Sequence, residues 1–326
     1  MAKRILLLGA TGTIGRATCD ALLARGHEVV CPVRPGARAL PEGAIRRDCD
    51  PSDPHALARD GIGRARIDAV ISCLASRSGA PAEAWEIDHR ATRDAIAAAR
   101  NAGAGQAVLL SAICVSRPRL AFQHAKLAAE ADLIASGMTY SIVRPTAFFK
   151  SLSGQIDRVR DGKPFLVFGT GEATSCKPIG DRDLAEFLAG CLDDPDRRNR
   201  ILPVGGPGPA LTPRAQAEIL FRLTGRRPRF RRVPPQLLGR IAAGLSLAGR
   251  VSPAMARKAE LARIGQYYAT HSMLVWDPVA CRYDADATPE YGTERLENHY
   301  ARLIESGGSA NLGDHALFSR PDRTSV

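Results

Sequence analysis

Aromatic side chains are scarce in this chain, at 5% of 326 residues. Its core must therefore be mainly aliphatic, and any local cluster of rings carries information. Lysine is scarcer still: six of the 45 basic residues, the rest being arginine. No two of the eight cysteines lie closer than twelve positions. That spacing excludes CxxC redox pairs and the close-set ligands of zinc and iron–sulfur sites, and no metal is expected. No apolar run approaches the roughly 20 residues that span a bilayer. The first apolar run, Ile5–Leu8, is too short for a secretory signal. The expected setting is a cytosol with reduced thiols.

What is present is ordinary globular material, 45% hydrophobic and 24% charged, which rules out a wholly disordered chain. A net charge of +11 suits an anionic partner such as a nucleotide phosphate, an acidic ligand or a lipid surface, and equally a solvated basic face. Nucleic acid is not expected, because the basic cluster Arg222–Arg232 lacks interleaved aromatics or a recognisable module.

The first half alternates short apolar runs with helical stretches. Ile5–Leu8, Val29–Val33, Ala69–Leu74, Ala107–Ala112 and Tyr140–Val143 read as strands. Helices are expected from the glycine-rich turn to Arg25, around Ala91–Ala102 and around Ala121–Ser136. Uninterrupted apolar runs suit strands buried on both faces, so the fold class is α/β, a Rossmann-type doubly wound parallel sheet. After Pro145 the rhythm changes to a smaller α+β lobe. It has a strand and turn in Lys163–Gly171, a helix Asp181–Leu192 with Asp181 as its cap, and a strand into the turn at 205–208. Thr212 and Pro213 form an N-cap and N1 pair. The expected organisation is a nucleotide-binding domain at 1–150, an interwoven substrate lobe at 151–305 and a disordered tail at 306–326. The basic Arg222–Arg232 followed by the apolar Leu237–Val251 reads as a helix that packs on the lobe, caps a cleft or rests on a membrane surface.

The strongest motif is Gly9-Ala10-Thr11-Gly12-Thr13-Ile14-Gly15, between a strand and a helix. Gly9 permits the tight turn, Gly12 the approach of a pyrophosphate and Gly15 close helix–sheet packing. The helix N-terminus, with Thr11, Thr13 and Ile14 around it, then points free N–H groups at the phosphates. The second strand ends in Arg34 rather than an acid, which favours the 2′-phosphate of NADP(H), and Asp48 is a candidate for the adenine edge. Leu74 and Ala75, Ser111, and Pro145 with Thr146 follow later strands and complete the expected cofactor crevice.

Short-chain dehydrogenases of the extended and atypical kind carry YxxxK on one helical face, and this chain resembles them with one change. The stretch Phe122-Gln123-His124-Ala125-Lys126 keeps Lys126, the candidate catalytic residue, but replaces the tyrosine by Phe122. Further blocks resemble the divinyl chlorophyllide 8-vinyl reductase family: 111–115, 141–152, 202–208, 264–268, 272–275 and 288–292. The resemblance covers roughly Arg4 to Glu305. It implies an NADPH-dependent enzyme that reduces the 8-vinyl group of a divinyl chlorophyllide, or of its protochlorophyllide precursor, in chlorophyll or bacteriochlorophyll synthesis. A vinyl group has no oxygen to protonate, which makes the loss of the tyrosine coherent.

For the flat macrocycle the expected lining is Phe122, Phe148, Phe149, Tyr267, Tyr268 and Met273. Lys150 or an arginine of 226–232 would pair with its carboxylate. Proton donors are sought among His124, Tyr267, Tyr268, His271 and water. Two other readings remain open at this level: a reductase of another aromatic molecule, similar to isoflavone reductases, and a non-catalytic NADP-binding sensor or accessory subunit.

Overall fold

The computed structural model describes residues 2–249 and 252–307. The expected tail from residue 308 onward, and Arg250 and Val251 of the apolar segment, lie outside the described residues. Seven strands form one parallel sheet: β1 (Arg4–Leu8), β2 (Glu28–Val33), β3 (Ile45–Asp48), β4 (Ala69–Ser72), β5 (Gln106–Leu110), β6 (Thr139–Pro145) and β8 (Arg200–Val204). Their order is β3-β2-β1-β4-β5-β6-β8, so the winding direction reverses between β1 and β4. In such sheets the ligand crevice lies outside the carboxyl ends of the strands at that reversal.

The continuous apolar runs are explained by burial on both faces. Ile5 and Leu7 pack in one aliphatic cluster, Leu6 and Leu8 in another, and all four are fully buried. Helices α1 (Thr13–Ala24) and α4 (Asp181–Gly190) contribute to the first cluster. Helices α2 (Thr92–Asn101) and α3 (Ala121–Ala135) contribute to the second. The strands at 69 and 106 end two residues earlier than expected, at Ser72 and Leu110. The segments that follow bend away to form the crevice wall. Asp181 is not the cap of α4: Gly180 occupies that position, and Asp181 is the first helical residue.

The remainder adds two small sheets. Strands β7 (Phe165–Phe168) and β9 (Phe230–Val233) pair in parallel, and β10 (Val275–Asp277) and β11 (Arg282–Asp284) form a hairpin. Helix α5 (Pro213–Thr224) starts as its sequence demands, with the Thr212 hydroxyl accepting from the Ala215 N–H at 3.2 Å. Together with α8 (Leu296–Glu305) it surrounds a third cluster built on Phe149, Phe165, Phe221 and Tyr300. Residue 150 does not divide two separate bodies, since α4 and β8 return to the first sheet. Two further helices, α6 (Pro235–Ala248) and α7 (Pro253–Thr270), form a pair packed on each other.

One buried ion pair ties the site region together. Glu130 on α3, 3% exposed, accepts from Arg144 Nε at 3.0 Å and from a second guanidinium nitrogen. It also accepts from the Ser111 hydroxyl, which joins α3 to the ends of β5 and β6. Removing one partner of such a pair strands a charge in the interior. Arg144→Met should therefore cost about 3–5 kcal/mol in urea unfolding, and Glu130→Gln in the same chain should recover part of the loss. A cost near that of a surface substitution would show that the pair does not hold the sheet ends.

Candidate nucleotide and substrate site

The first βα turn is set by two glycines. Gly9 has φ +77, and a Cβ there would stand 2.6 Å from the Cys73 carbonyl oxygen at the end of β4. A Cβ on Gly15 would stand 2.1 Å from the Gly9 carbonyl oxygen, so only glycine lets α1 lie this close to the strand. Gly12 is the N-cap of α1 and its N–H bonds the Gly9 carbonyl at 3.0 Å. No side chain caps α1, and no acidic residue lies in its first turn. The leading amides and the positive helix end therefore face the crevice uncompensated, which fits a cofactor diphosphate. Thr13 opens the helix, while Ile14 turns into the core.

At the ends of β2 and β3, Val33 pairs with Asp48, which places Arg34 and Asp48 side by side at the sheet edge. Asp48 is on a strand and its carboxylate accepts from Arg46 Nε at 2.9 Å. Arg46 also donates to the carbonyls of Arg34, Ala37 and Arg38, so it shapes the loop that carries the exposed Arg34. Arg46 was not expected, although its place two residues before Asp48 on a short strand was a usable signal.

Lys126 is nearly buried, and its Nζ lies 3.1 Å from Asp88 Oδ1 and 3.5 Å from the Leu110 carbonyl. Asp88, 2% exposed, also accepts from the Ser76 N–H at 3.3 Å, just past Leu74 and Ala75. Asp88 lies on a π-helical stretch, Ala84–Ala91, a distortion often kept where a side chain is needed at a site. Sequence reading missed Asp88 because a lone acid in a helical pattern ordinarily faces water.

Several expected side chains are committed elsewhere. The Ser111 hydroxyl is used by Glu130, and the Thr146 hydroxyl donates to the Lys177 carbonyl. Pro145 ends β6, and the Thr146 N–H bonds Val204. Phe149 is buried in the lobe's core against His299, and Phe148 packs on the first sheet cluster. Met273 bridges to Cys176, its N–H bonding the Ser175 carbonyl at 3.0 Å.

Lys150 does not point to a separate carboxylate site. Its Nζ lies 3.2 Å from the Thr13 hydroxyl, at the phosphate end of α1. Nearby, Asp181 has a buried carboxylate oxygen without a partner. Burial first, and the charge of Glu294 second, push its pKa up to about 6, against the pull of Lys150.

Phe122, Ile264, Tyr267 and Tyr268 do come together, around Cys114 and Leu120, so α7 covers the helix that carries Lys126. The Tyr267 hydroxyl faces the carbonyls of Cys114 and Arg117, both at 3.0 Å, and burial raises its pKa. Tyr268 is likewise pushed up by burial, with its hydroxyl 3.9 Å from Cys114 Sγ. His271 stacks on Tyr267 at 4.3 Å between centroids, and burial lowers its pKa. His124 is exposed on α3.

The fold and the glycine turn define a Rossmann-type NAD(P)H-binding protein. A family model described as NAD(P)H-binding matches residues 9–195. The chain is 44% identical to the chloroplastic divinyl chlorophyllide a 8-vinyl-reductase of Oryza sativa subsp. indica, over 96% of this chain and 82% of that protein. It is 29% identical to the photosystem II assembly factor Ycf39 of Cyanophora paradoxa, over 71% of each. In fold it resembles an NADPH-dependent quinone oxidoreductase of Escherichia coli solved with NADPH. The TM-score is 0.65 at 17% identity, over 92% of this chain and 99% of that one. The chain belongs to the divinyl chlorophyllide a 8-vinyl-reductase family.

Two outcomes are expected in fluorescence titrations. Arg34→Ala should weaken NADPH by about tenfold or more, as for the loss of a charge-assisted hydrogen bond, and leave NADH within about twofold. Equal losses for both would remove Arg34 from the 2′-phosphate. An ionised Asp181 beside the diphosphate repels it, so binding favours the protonated form and affinity should fall as pH rises through about 6. Because the 2′-phosphate also titrates near there, NADH is the control, and Asp181→Asn should abolish this dependence for NADH.

Proposed function

We infer that this protein reduces the 8-vinyl group of a divinyl chlorophyllide to ethyl with NADPH. The observation that carries the reading is the pairing of a retained, buried Lys126 with Phe122 in place of the proton-donating tyrosine, together with family membership. A carbonyl reductase must protonate an oxyanion as it forms; a vinyl reductase has none to protonate.

Bound NADPH supplies a hydride. The chain's own residues do the rest. The free amides of Thr13 and Ile14 and the Lys150 ammonium would hold the diphosphate, and Arg34 the 2′-phosphate. Asp88 fixes Lys126, whose ammonium would bind the nicotinamide-ribose hydroxyls. Leu74, Ala75, Ser111, Pro145 and Thr146 form the walls of that half of the crevice, largely through backbone. Phe122 and Tyr268 would present ring faces to the macrocycle.

Charge left on the vinyl carbon next to the ring spreads into the macrocycle, so little local stabilisation is required. The proton comes from solvent. Tyr267 is a poor donor, since its hydroxyl is engaged by two carbonyls, and burial works against ionisation of Tyr268.

The assay is anaerobic turnover of divinyl chlorophyllide a with NADPH, followed by the blue shift of the Soret band and by chromatography. Lys126→Met should lower kcat/KM by about 100-fold or more, the scale of a lost positioning group. Phe122→Tyr should stay within about threefold of wild type. If Phe122→Tyr raises activity strongly, the reaction needs a hydroxyl donor and the solvent route is wrong. If NADPH binds and no monovinyl pigment forms, the vinyl-reductase reading falls.

A further inference from the structure

We propose that the α6–α7 helix pair, with the strand β9 that precedes it in the chain, docks this protein on an anionic lipid surface. From Ile219 to Ala259 the chain has no acidic residue and ten arginines and lysines. The next acid, Glu260, is buried and bonded to Arg263 at 2.8 Å, so it places no negative charge on this surface. Among the described residues, no acid pairs with Arg231, Arg232 or Arg240, and all three are exposed.

Helix α6 supplies the apolar half. Leu238 and Ala242 are buried, as are Ala259 and Ala262 of the neighbouring α7. The opposite face of α6 carries Leu237, Arg240, Ile241, Gly244, Leu247 and Ala248. Leu237 and Ile241 are each 43% exposed and Leu247 is 65% exposed. Side chains at these spacings share one stripe of a helix. A stripe of aliphatic residues facing water, in a segment with exposed arginines and no acids, is the pattern of an interfacial helix. The cations select an anionic surface, each contributing about fivefold in partition near the headgroups. No helix among the described residues is long and apolar enough to cross a membrane, so contact is from one side.

The placement also has a consequence for the site. Helix α7 lies between the docking face and the cleft, presenting Ile264, Tyr267 and Tyr268 to Phe122. If the macrocycle reading of the preceding subsection holds, an apolar pigment reaches the cleft from the lipid past this helix. The docking itself does not depend on that reading.

The test is co-sedimentation of the full chain with phosphatidylcholine vesicles, with and without phosphatidylglycerol, at low and high salt. NADPH binding of each variant serves as the check on folding. Wild type should bind the phosphatidylglycerol vesicles at least tenfold better than neutral ones, and salt should weaken binding. The exposed triple change Leu237→Ser, Ile241→Ser and Leu247→Ser should lose at least tenfold with NADPH binding unchanged. Arg231→Glu with Arg232→Glu should lose a similar factor and flatten the salt dependence. No binding by wild type, or equal binding by the triple variant, overturns the proposal. So does a wild-type dimer that the triple variant converts to monomer, because a second copy then covers the face. Failure of turnover with intact vesicle binding would count against the vinyl-reductase reading alone.

Discussion

Everything at the site hangs on the distance between the first βα turn and the neighbouring strand. The Gly9 backbone abuts the end of β4 so closely that a side chain would collide with the Cys73 carbonyl. The Gly15 backbone is as close to Gly9 itself. This contact is made where the sheet reverses its winding, so it opens the crevice and aims the start of α1 into it. Lys150 then approaches the same helix end from the far side of the chain. A cation beside a positive helix end is unfavourable alone and becomes favourable once an anion lies between them.

The other half of the crevice is organised by α3. Its inward face carries Lys126 and Glu130, one turn apart, and each finds a partner of opposite charge, Asp88 and Arg144. The Lys126–Asp88 pair fixes an ammonium beside the end of β5. The Glu130–Arg144 pair, with Ser111, braces the ends of the two strands beneath it. Burying two charges this close to the crevice is costly unless every one is paired. The pairing explains why Phe122 could replace a tyrosine without leaving the lysine adrift.

Legibility followed range along the chain. The apolar strands of the large sheet, α1 and the cap of α5 were readable because each depends on neighbouring residues: aliphatic runs, glycine spacing, threonine before proline; the polar edge strand β3 was not. The positions that follow strand ends were readable by topology. Asp88, Arg46 and Asp181 were not, since an acid or a cation in a helical or strand pattern looks solvated until the chain folds over it. The same limit misplaced Phe149, whose ring reads as a cleft wall in sequence and fills the core of the lobe.

By itself, the sequence determined a doubly wound sheet, a dinucleotide site at its first turn and a lysine without its tyrosine. The first two follow from periodicity and spacing, which act over a few residues, and the third from the family resemblance. Only the tertiary structure decided which charges are buried together and which hydroxyls are already engaged. It also turned Lys150 to the phosphate end, and it put the apolar stripe of α6 in water with α7 behind it. Those outcomes depend on contacts between segments up to well over a hundred residues apart, such as Thr13 with Lys150 and Cys114 with Tyr267. No local pattern encodes such a meeting, because its energy exists only after the intervening chain has been packed.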